Sequence, residues 1–265
     1  MIRIATPRIL ILGGTTEAAA LARLMAGDKR FDPVISLAGR TASPAPQPVP
    51  ARIGGFGGAD GLARWLDAEG IAAVIDATHP FAARISANAV AACARCGTPL
   101  ASLTRPPWTQ ESGDRWMEAD SAEAAAGLLA TQTQPRRVFL SLGRLELGVF
   151  ASAPQHDYLA RLIDPPSGIV LPPRIRFIFE RGPFGKSAEA ALLETERTEM
   201  IVSKNSGGAA TYAKIEAARE AGLPVIMIAR PEKPHGHVVH SPEQAVAWLE
   251  SIAGHGEGAP SPRGV

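Results

Sequence analysis

Sulfur is scarce in this chain. Its 265 residues include only two cysteines, Cys93 and Cys96, three apart in a stretch that reads as a helix. A C-x-x-C pair suits redox chemistry or a metal. No second pair accompanies it, however, and no thioredoxin-like strand precedes it. Reduced thiols, no metal and a cytoplasmic setting are the expectation. An excess of one charge is missing too. Lys and Arg number 27 against 26 Asp and Glu, a net charge of +1, which argues against nucleic acid or a membrane surface as a partner. No apolar run approaches the roughly 20 residues that cross a bilayer, and the first residues lack the apolar core and cleavage site of a signal peptide. Aromatics make up 5% of the chain, and the two tyrosines are Tyr158 and Tyr212. Four residues beyond them stand Leu162 and Glu216, so the Tyr-x-x-x-Lys pair of a short-chain dehydrogenase is absent.

What the chain has is glycine (26) and proline (23) scattered among apolar residues at 46%, the composition of an α/β protein with many short loops. Its length is enough for two domains. The stretch that organises the rest is Arg8 to Ala20. Ile9 to Leu12 reads as a buried parallel strand. Gly13 and Gly14 turn the chain, and Thr15 or Thr16 caps the alanine-rich helix that follows. The N–H groups at such a helix start suit a phosphate, so Gly13, Gly14, Thr15, Thr16 and Glu17 are candidate nucleotide contacts. The turn departs from G-x-G-x-x-G, with Leu12 and Glu17 where the first and third glycines would stand.

The alternation continues. Val34 to Leu37 reads as a second strand ending at Arg40, where an acid would mark NAD. A guanidinium there can pair with a 2′-phosphate and favours NADP. Arg52-Ile53 begins a third strand, and the glycine loop after it, with Gly55 and Phe56, suggests close approach to a ligand. Asp76, Thr78 and His79 follow a fourth strand, at the end of a sheet where ligands bind. Arg105-Pro106-Pro107-Trp108 breaks the chain. A domain of residues 1–104, a second of 105–253 and a disordered tail of 254–265 are expected, with Leu223 to Ile228 as the last strand. Arg105, Arg144, Arg181 and Lys204 all follow strands. Lys204-Asn205-Ser206, ahead of two glycines, reads as an anion site at a helix start.

Taken in order, G-G-T-T-E-A (13–18), L-A-G-R (37–40), G-G-F-G-G (54–58), D-A-T-H-P-F-A (76–82), R-P-P-W (105–108), L-G-R (142–144), R-G-P-F (181–184) and V-S-K-N-S-G-G (202–208) span about three quarters of the chain. In this set the chain resembles the precorrin-6A reductases, NADPH-dependent enzymes of cobalamin biosynthesis. The resemblance implies two Rossmann-like α/β domains with parallel sheets and an active-site cleft between them. It also implies hydride transfer from NADPH to precorrin-6A, reducing the C18–C19 double bond to give precorrin-6B. A tetrapyrrole precursor carries many carboxylates, which Arg105, Arg144, Arg181, Lys204, Asn205 and Ser206 would bind. His79 and Lys204 are candidate proton donors, with solvent as the alternative. The residues leave open whether the substrate carries cobalt, and they set no oligomeric state. A methyltransferase using S-adenosylmethionine shares the first turn but more often has an acid where Arg40 stands. A non-catalytic NADP sensor would need no basic groups in the second half.

Overall fold

The computed structural model describes residues 6–39 and 45–254. Arg40 and the tail residues 255–265 lie outside the described residues. The chain divides into two compact units, one of residues 1–105 and 232–265, the other of Pro106–Pro231.

In the first unit, β1 (Arg8–Leu12), β2 (Asp32–Leu37), β3 (Ala51–Ile53), β4 (Ile71–Asp76), β5 (Leu100–Leu103) and β12 (His237–Val239) form one sheet in the order β12-β5-β4-β1-β2-β3. Every pairing is parallel. This is the 3-2-1-4-5-6 order of a doubly wound fold, whose ligand crevice opens where the order reverses, at the carboxyl ends of β1 and β4. Alternation along β1 sends Ile9 and Ile11 to a core shared with α1 (Thr16–Met25) and α7 (Pro242–Gly254). Leu10 and Leu12 face the other core, with α2 (Gly58–Ala68) and α3 (Ala83–Cys96). A strand covered on both faces must be apolar throughout, as β1 is.

In the second unit, β6 (Arg115–Ala119), β7 (Arg137–Ser141), β8 (Asp157–Leu162), β9 (Ile175–Phe179), β10 (Met200–Lys204) and β11 (Pro224–Ile228) form a second parallel sheet, in the order β6-β11-β10-β7-β8-β9. Read from the β9 edge, this is again 3-2-1-4-5-6, with the reversal between β7 and β10. α5 (Lys186–Thr195) and α6 (Ala213–Glu220) supply Leu193, Ile215 and Ala218 to the core on one face. α4 (Ala122–Ala130) packs with a 3-10 segment, Arg144–Ser152, that the sequence patterning did not reveal.

The sixth strand of each sheet comes from an unexpected part of the chain. The first sheet takes β12, formed after the chain returns from the second unit, and the second sheet takes β6, its earliest strand. The second unit therefore ends at Pro231 and not at residue 253, and β11 is not the last strand. β12 has three residues, too few to show a period, and it follows the prolines Pro231 and Pro234, which read as a break. α7 belongs to the first unit because its buried Ala245 and Leu249 pack with Leu21 and Met25 of α1.

Candidate functional site

Two turns leave the reversal point of the first sheet. After β1, the N–H of Gly13 donates to the Ser36 carbonyl (2.9 Å). A Cβ on Gly13 would stand 2.7 Å from Ile35 Cδ1, so β2 packs against the bare backbone. Gly14 sits at φ +116°, a conformation that L side chains rarely adopt, with open space where a Cβ would point. Thr15 is the N-cap: its Oγ1 accepts from Ala18 N–H (3.1 Å) and donates to the Ala77 carbonyl (2.7 Å), binding the turn to the end of β4. Among the described residues, the N–H groups of Gly14, Thr15 and Thr16 meet no acceptor. Bare donors, a helix start and absent side chains together make a cradle that fits a phosphate. Thr16 Oγ1 donates to Glu17 (3.1 Å), and Arg105 pairs with the Glu17 carboxylate. Arg105 thus belongs to the first unit, beside this turn. Its charge offsets an acid that would otherwise repel a phosphate.

After β4, Asp76 is buried, 1% exposed. Its carboxylate accepts from Thr78 N–H (3.0 Å), Thr78 Oγ1 (2.6 Å) and Ser86 Oγ. Lys233 Nζ stands 3.5 Å from it and donates to Thr78 Oγ1 (3.1 Å). His79 Nδ1 accepts from Phe81 N–H (3.2 Å), which leaves the proton of the neutral ring on Nε2. At the end of β3, Arg52 lies under the Phe56 ring, and Phe56 also packs edge-on against Trp65. Gly55 contributes its carbonyl to Arg52 (3.2 Å). Lys233 and Arg52 escaped the sequence reading. Lys233 lies between Pro231 and Pro234 in a segment that reads as a break, and its acid partner is far away in the chain. Arg52 is one more polar residue in a three-residue strand.

At the reversal point of the second sheet, Lys204 ends β10 and pairs with Glu146 (2.5 Å). The same Glu146 oxygen accepts from Gly143 N–H (3.1 Å), just after β7. Arg144 follows, with no hydrogen bond or ion pair among the described residues. Arg181 is exposed beyond β9. Asn205 takes another task. Its Oδ1 accepts from Trp108 N–H (2.8 Å) and its Nδ2 donates to the Trp108 carbonyl (2.9 Å). Arg230 donates to the carbonyls of Asn205 (2.9 Å), Ser206 (3.0 Å) and Pro106 (3.1 Å). A Cβ on Gly207 would lie 2.1 Å from the Pro106 carbonyl oxygen. The K-N-S-G-G stretch thus clamps the Pro106–Trp108 segment. It does not open a helix, because Gly207 and Gly208 carry the chain through a turn and α6 begins only at Ala213. Leu145, Ile163 and Phe179, among the few exposed large apolar side chains, follow or end β7, β8 and β9.

Cys93 and Cys96 are thiols on α3. Burial pushes Cys93 up to about 12 and raises Cys96 as well, so neither offers a thiolate near neutral pH. Among the described residues no helix is long and apolar enough to cross a membrane.

Comparison with known proteins decides the family. A family model described as precorrin-6x reductase CbiJ/CobK matches residues 8–250. The chain belongs to the precorrin-6x reductase family. It is 49% identical over 258 residues to the precorrin-6A reductase of Rhodobacter capsulatus, covering 97% of this chain and 99% of that one. The precorrin-6A reductase of a Sinorhizobium species is 55% identical over 224 residues, 84% of this chain and 85% of that one. The cobalt-precorrin-6A reductase of Priestia megaterium is 30% identical, over 91% of this chain and 97% of that one. The solved structure of a CobK precorrin-6A reductase superposes with a TM-score of 0.87 at 49% identity, covering 98% of this chain and 100% of that one. The chain is an oxidoreductase of cobalamin biosynthesis, a precorrin-6A reductase with two Rossmann-like sheets.

Proposed function

We propose that this reductase transfers a hydride from NADPH to cobalt-free precorrin-6A, saturating the C18–C19 bond, with the nucleotide on the first unit and the macrocycle's carboxylates on the second. The carrying observation is the turn after β1, where Gly14, Thr15 and Thr16 present unused N–H groups at the start of α1. NADPH supplies the hydride when bound, and the chain's work is to hold and orient two ligands. Gly13 and Gly14 let the backbone approach the pyrophosphate, to which the N–H groups of Thr15 and Thr16 donate. Arg105 neutralises Glu17. Arg40, beyond β2, pairs with the 2′-phosphate, while Gly55, Phe56 and Thr78 border the same edge of the sheet.

On the second unit Arg144, Arg181 and Lys204 pair with substrate carboxylates. Leu145, Ile163 and Phe179 offer apolar surface to the ring from the same strand ends, the mixture that an amphipathic macrocycle needs. Asn205 and Ser206 hold the Lys204 strand end by clamping Trp108 and accepting from Arg230. His79 Nε2 and the Lys204 ammonium are the proton carriers at these two edges. A cobalt-free substrate is favoured by identities of 49% and 55% to precorrin-6A reductases, against 30% to a cobalt-precorrin-6A reductase.

The test is anaerobic turnover of precorrin-6A with NADPH deuterated at the transferred position. The account expects one deuterium in the product. NADPH that binds but is not oxidised by the tetrapyrrole would make the chain a sensor. Methyl transfer from S-adenosylmethionine would make it a methyltransferase.

A further inference from the structure

Arg52 is a cation held still without an acid. Its Nη1 donates to Ser36 Oγ (2.8 Å) and the Gly54 carbonyl (3.0 Å), and its Nη2 donates to the Gly55 carbonyl (3.2 Å). The Phe56 ring lies 3.8 Å from the guanidinium carbon and closes one face of the group. Every one of these partners is neutral, and among the described residues no carboxylate pairs with Arg52. An Nε–H and one Nη2–H remain unused. Four other arginines of the unit pair with acids, Arg8 with Glu69, Arg30 with Asp28, Arg95 with Asp60 and Arg105 with Glu17, and the three that do not among the described residues, Arg23, Arg64 and Arg84, are exposed rather than held. A fixed, half-buried guanidinium with only neutral neighbours is matched to an anion that arrives from outside.

The position names the anion. Arg52 pairs in register with Ser36 near the carboxyl end of β2. Ser36 is the residue whose carbonyl accepts from Gly13 of the phosphate-binding turn, and its hydroxyl accepts from Arg52. One residue thus joins the turn to the guanidinium. In a 3-2-1-4-5-6 sheet, a dinucleotide whose pyrophosphate sits after β1 extends its adenosine ribose toward the end of β2. The loop that holds Arg52 leaves open space at Gly54 and Gly55, where added Cβ atoms would meet nothing within 4 Å. Building on the cofactor reading above, we propose that Arg52 and Ser36 form a seat for the 2′-phosphate of the adenosine ribose, an anion they would share with Arg40. The guanidinium is pre-oriented by the glycine carbonyls and Phe56, and its unused N–H groups donate to the phosphate. In this account Phe56 acts through Arg52 and does not itself contact the nucleotide.

The test uses the full-length protein carrying Arg52→Gln, which can still donate hydrogen bonds but has no charge, and Arg52→Lys, which keeps the charge. Dissociation constants for NADPH and NADH come from cofactor fluorescence, and 2′,5′-ADP and 5′-ADP serve as competitors. The expected result is that Arg52→Gln weakens NADPH and 2′,5′-ADP about tenfold or more while NADH and 5′-ADP change less than twofold, with Arg52→Lys in between. A purely structural role for the guanidinium would weaken NADPH and NADH alike, leaving their ratio unchanged, and that overturns the proposal. The ratio remains readable even where a variant loses thermal stability. Wild-type protein that binds NADPH and NADH equally would instead overturn the choice of cofactor on which the seat rests.

Discussion

Both sheets run 3-2-1-4-5-6, yet they treat the turn after their first central strand in opposite ways. In the first unit, β1 leads through Gly13 and Gly14 into an α-helix whose leading N–H groups are bare. In the second, β7 leads through Gly143 into a 3-10 segment, and Glu146 turns back so that its carboxylate accepts from the Gly143 N–H. An internal acid thus occupies the place where the first unit is open to an external anion. The strand across the reversal differs in the same sense. β4 ends on buried Asp76, answered by Lys233, whereas β10 ends on Lys204, answered by Glu146. One strand order therefore yields an open turn with bare N–H groups in one copy and a self-capped, cation-bearing edge in the other. Fold alone does not assign the ligand; the turn chemistry does.

The cores differ as well, and substitutions there sharpen the contrast. Among the described residues the second unit buries Arg161, Glu189 and Lys214, while the first buries only Asp76 of its charged residues. Arg161 holds Glu189 through two hydrogen bonds, one of 2.8 Å, and lies 3.7 Å from the Phe184 ring centroid. Arg161→Met should have the largest effect, about 3–5 kcal/mol by urea denaturation, because it strands a carboxylate that is 1% exposed. Lys233→Met should follow at about 2–3 kcal/mol, since Asp76 keeps the hydrogen bonds from Thr78 and Ser86. Equal losses in these two variants would remove the asymmetry between the cores.

Lys214 adds a pH dependence to the second unit. Its Nζ donates to the Thr211 carbonyl (2.7 Å) and lies 5.0 Å from the Trp108 ring centroid, and burial pushes it down to about 7. Between about 7 and its unfolded value of 10.5, the unfolded chain holds the proton that the folded chain has released. Stability from this group therefore rises with pH across that window and falls as pH is lowered through it. Cys93, raised by burial, takes the opposite sign above pH 9, so the clean interval is pH 7 to 9. Lys214→Met should flatten the rise of the urea midpoint over that interval, and an unchanged slope would refute the assignment. The smallest effect is expected from Glu146→Gln. Its pair with Lys204 is partly exposed, and thermal unfolding should register about 1 kcal/mol or less.

Much of the first unit was legible because its signals are local. The apolar run of β1, the two glycines and the Thr15 cap lie within eight residues. The strand ends proposed to bind the substrate were legible as charge and not as geometry. Lys204 reads as an open cation, but its partner Glu146 is supplied by a 3-10 segment without helical periodicity. Arg105 reads as the start of the second domain, yet it pairs with Glu17, brought near by the fold. β12 was hidden by its length of three residues, and with it the return of the chain to the first sheet. These misses are contacts between distant segments, which no window of sequence holds.

The contrast between the two turns is tested most directly by NADPH titration of a matched pair, Gly14→Ala and Gly143→Ala. A side chain at Gly14 must adopt φ +116° or rebuild the turn, a strain on the order of 1–3 kcal/mol. At Gly143 the backbone is extended (φ −76°, ψ 150°), and the added methyl meets only Glu146 Oε2, at 3.2 Å. The account predicts roughly tenfold or greater loss of NADPH affinity in Gly14→Ala and a change of less than about twofold in Gly143→Ala. Full affinity in Gly14→Ala together with loss in Gly143→Ala would place the nucleotide on the second unit and contradict the account.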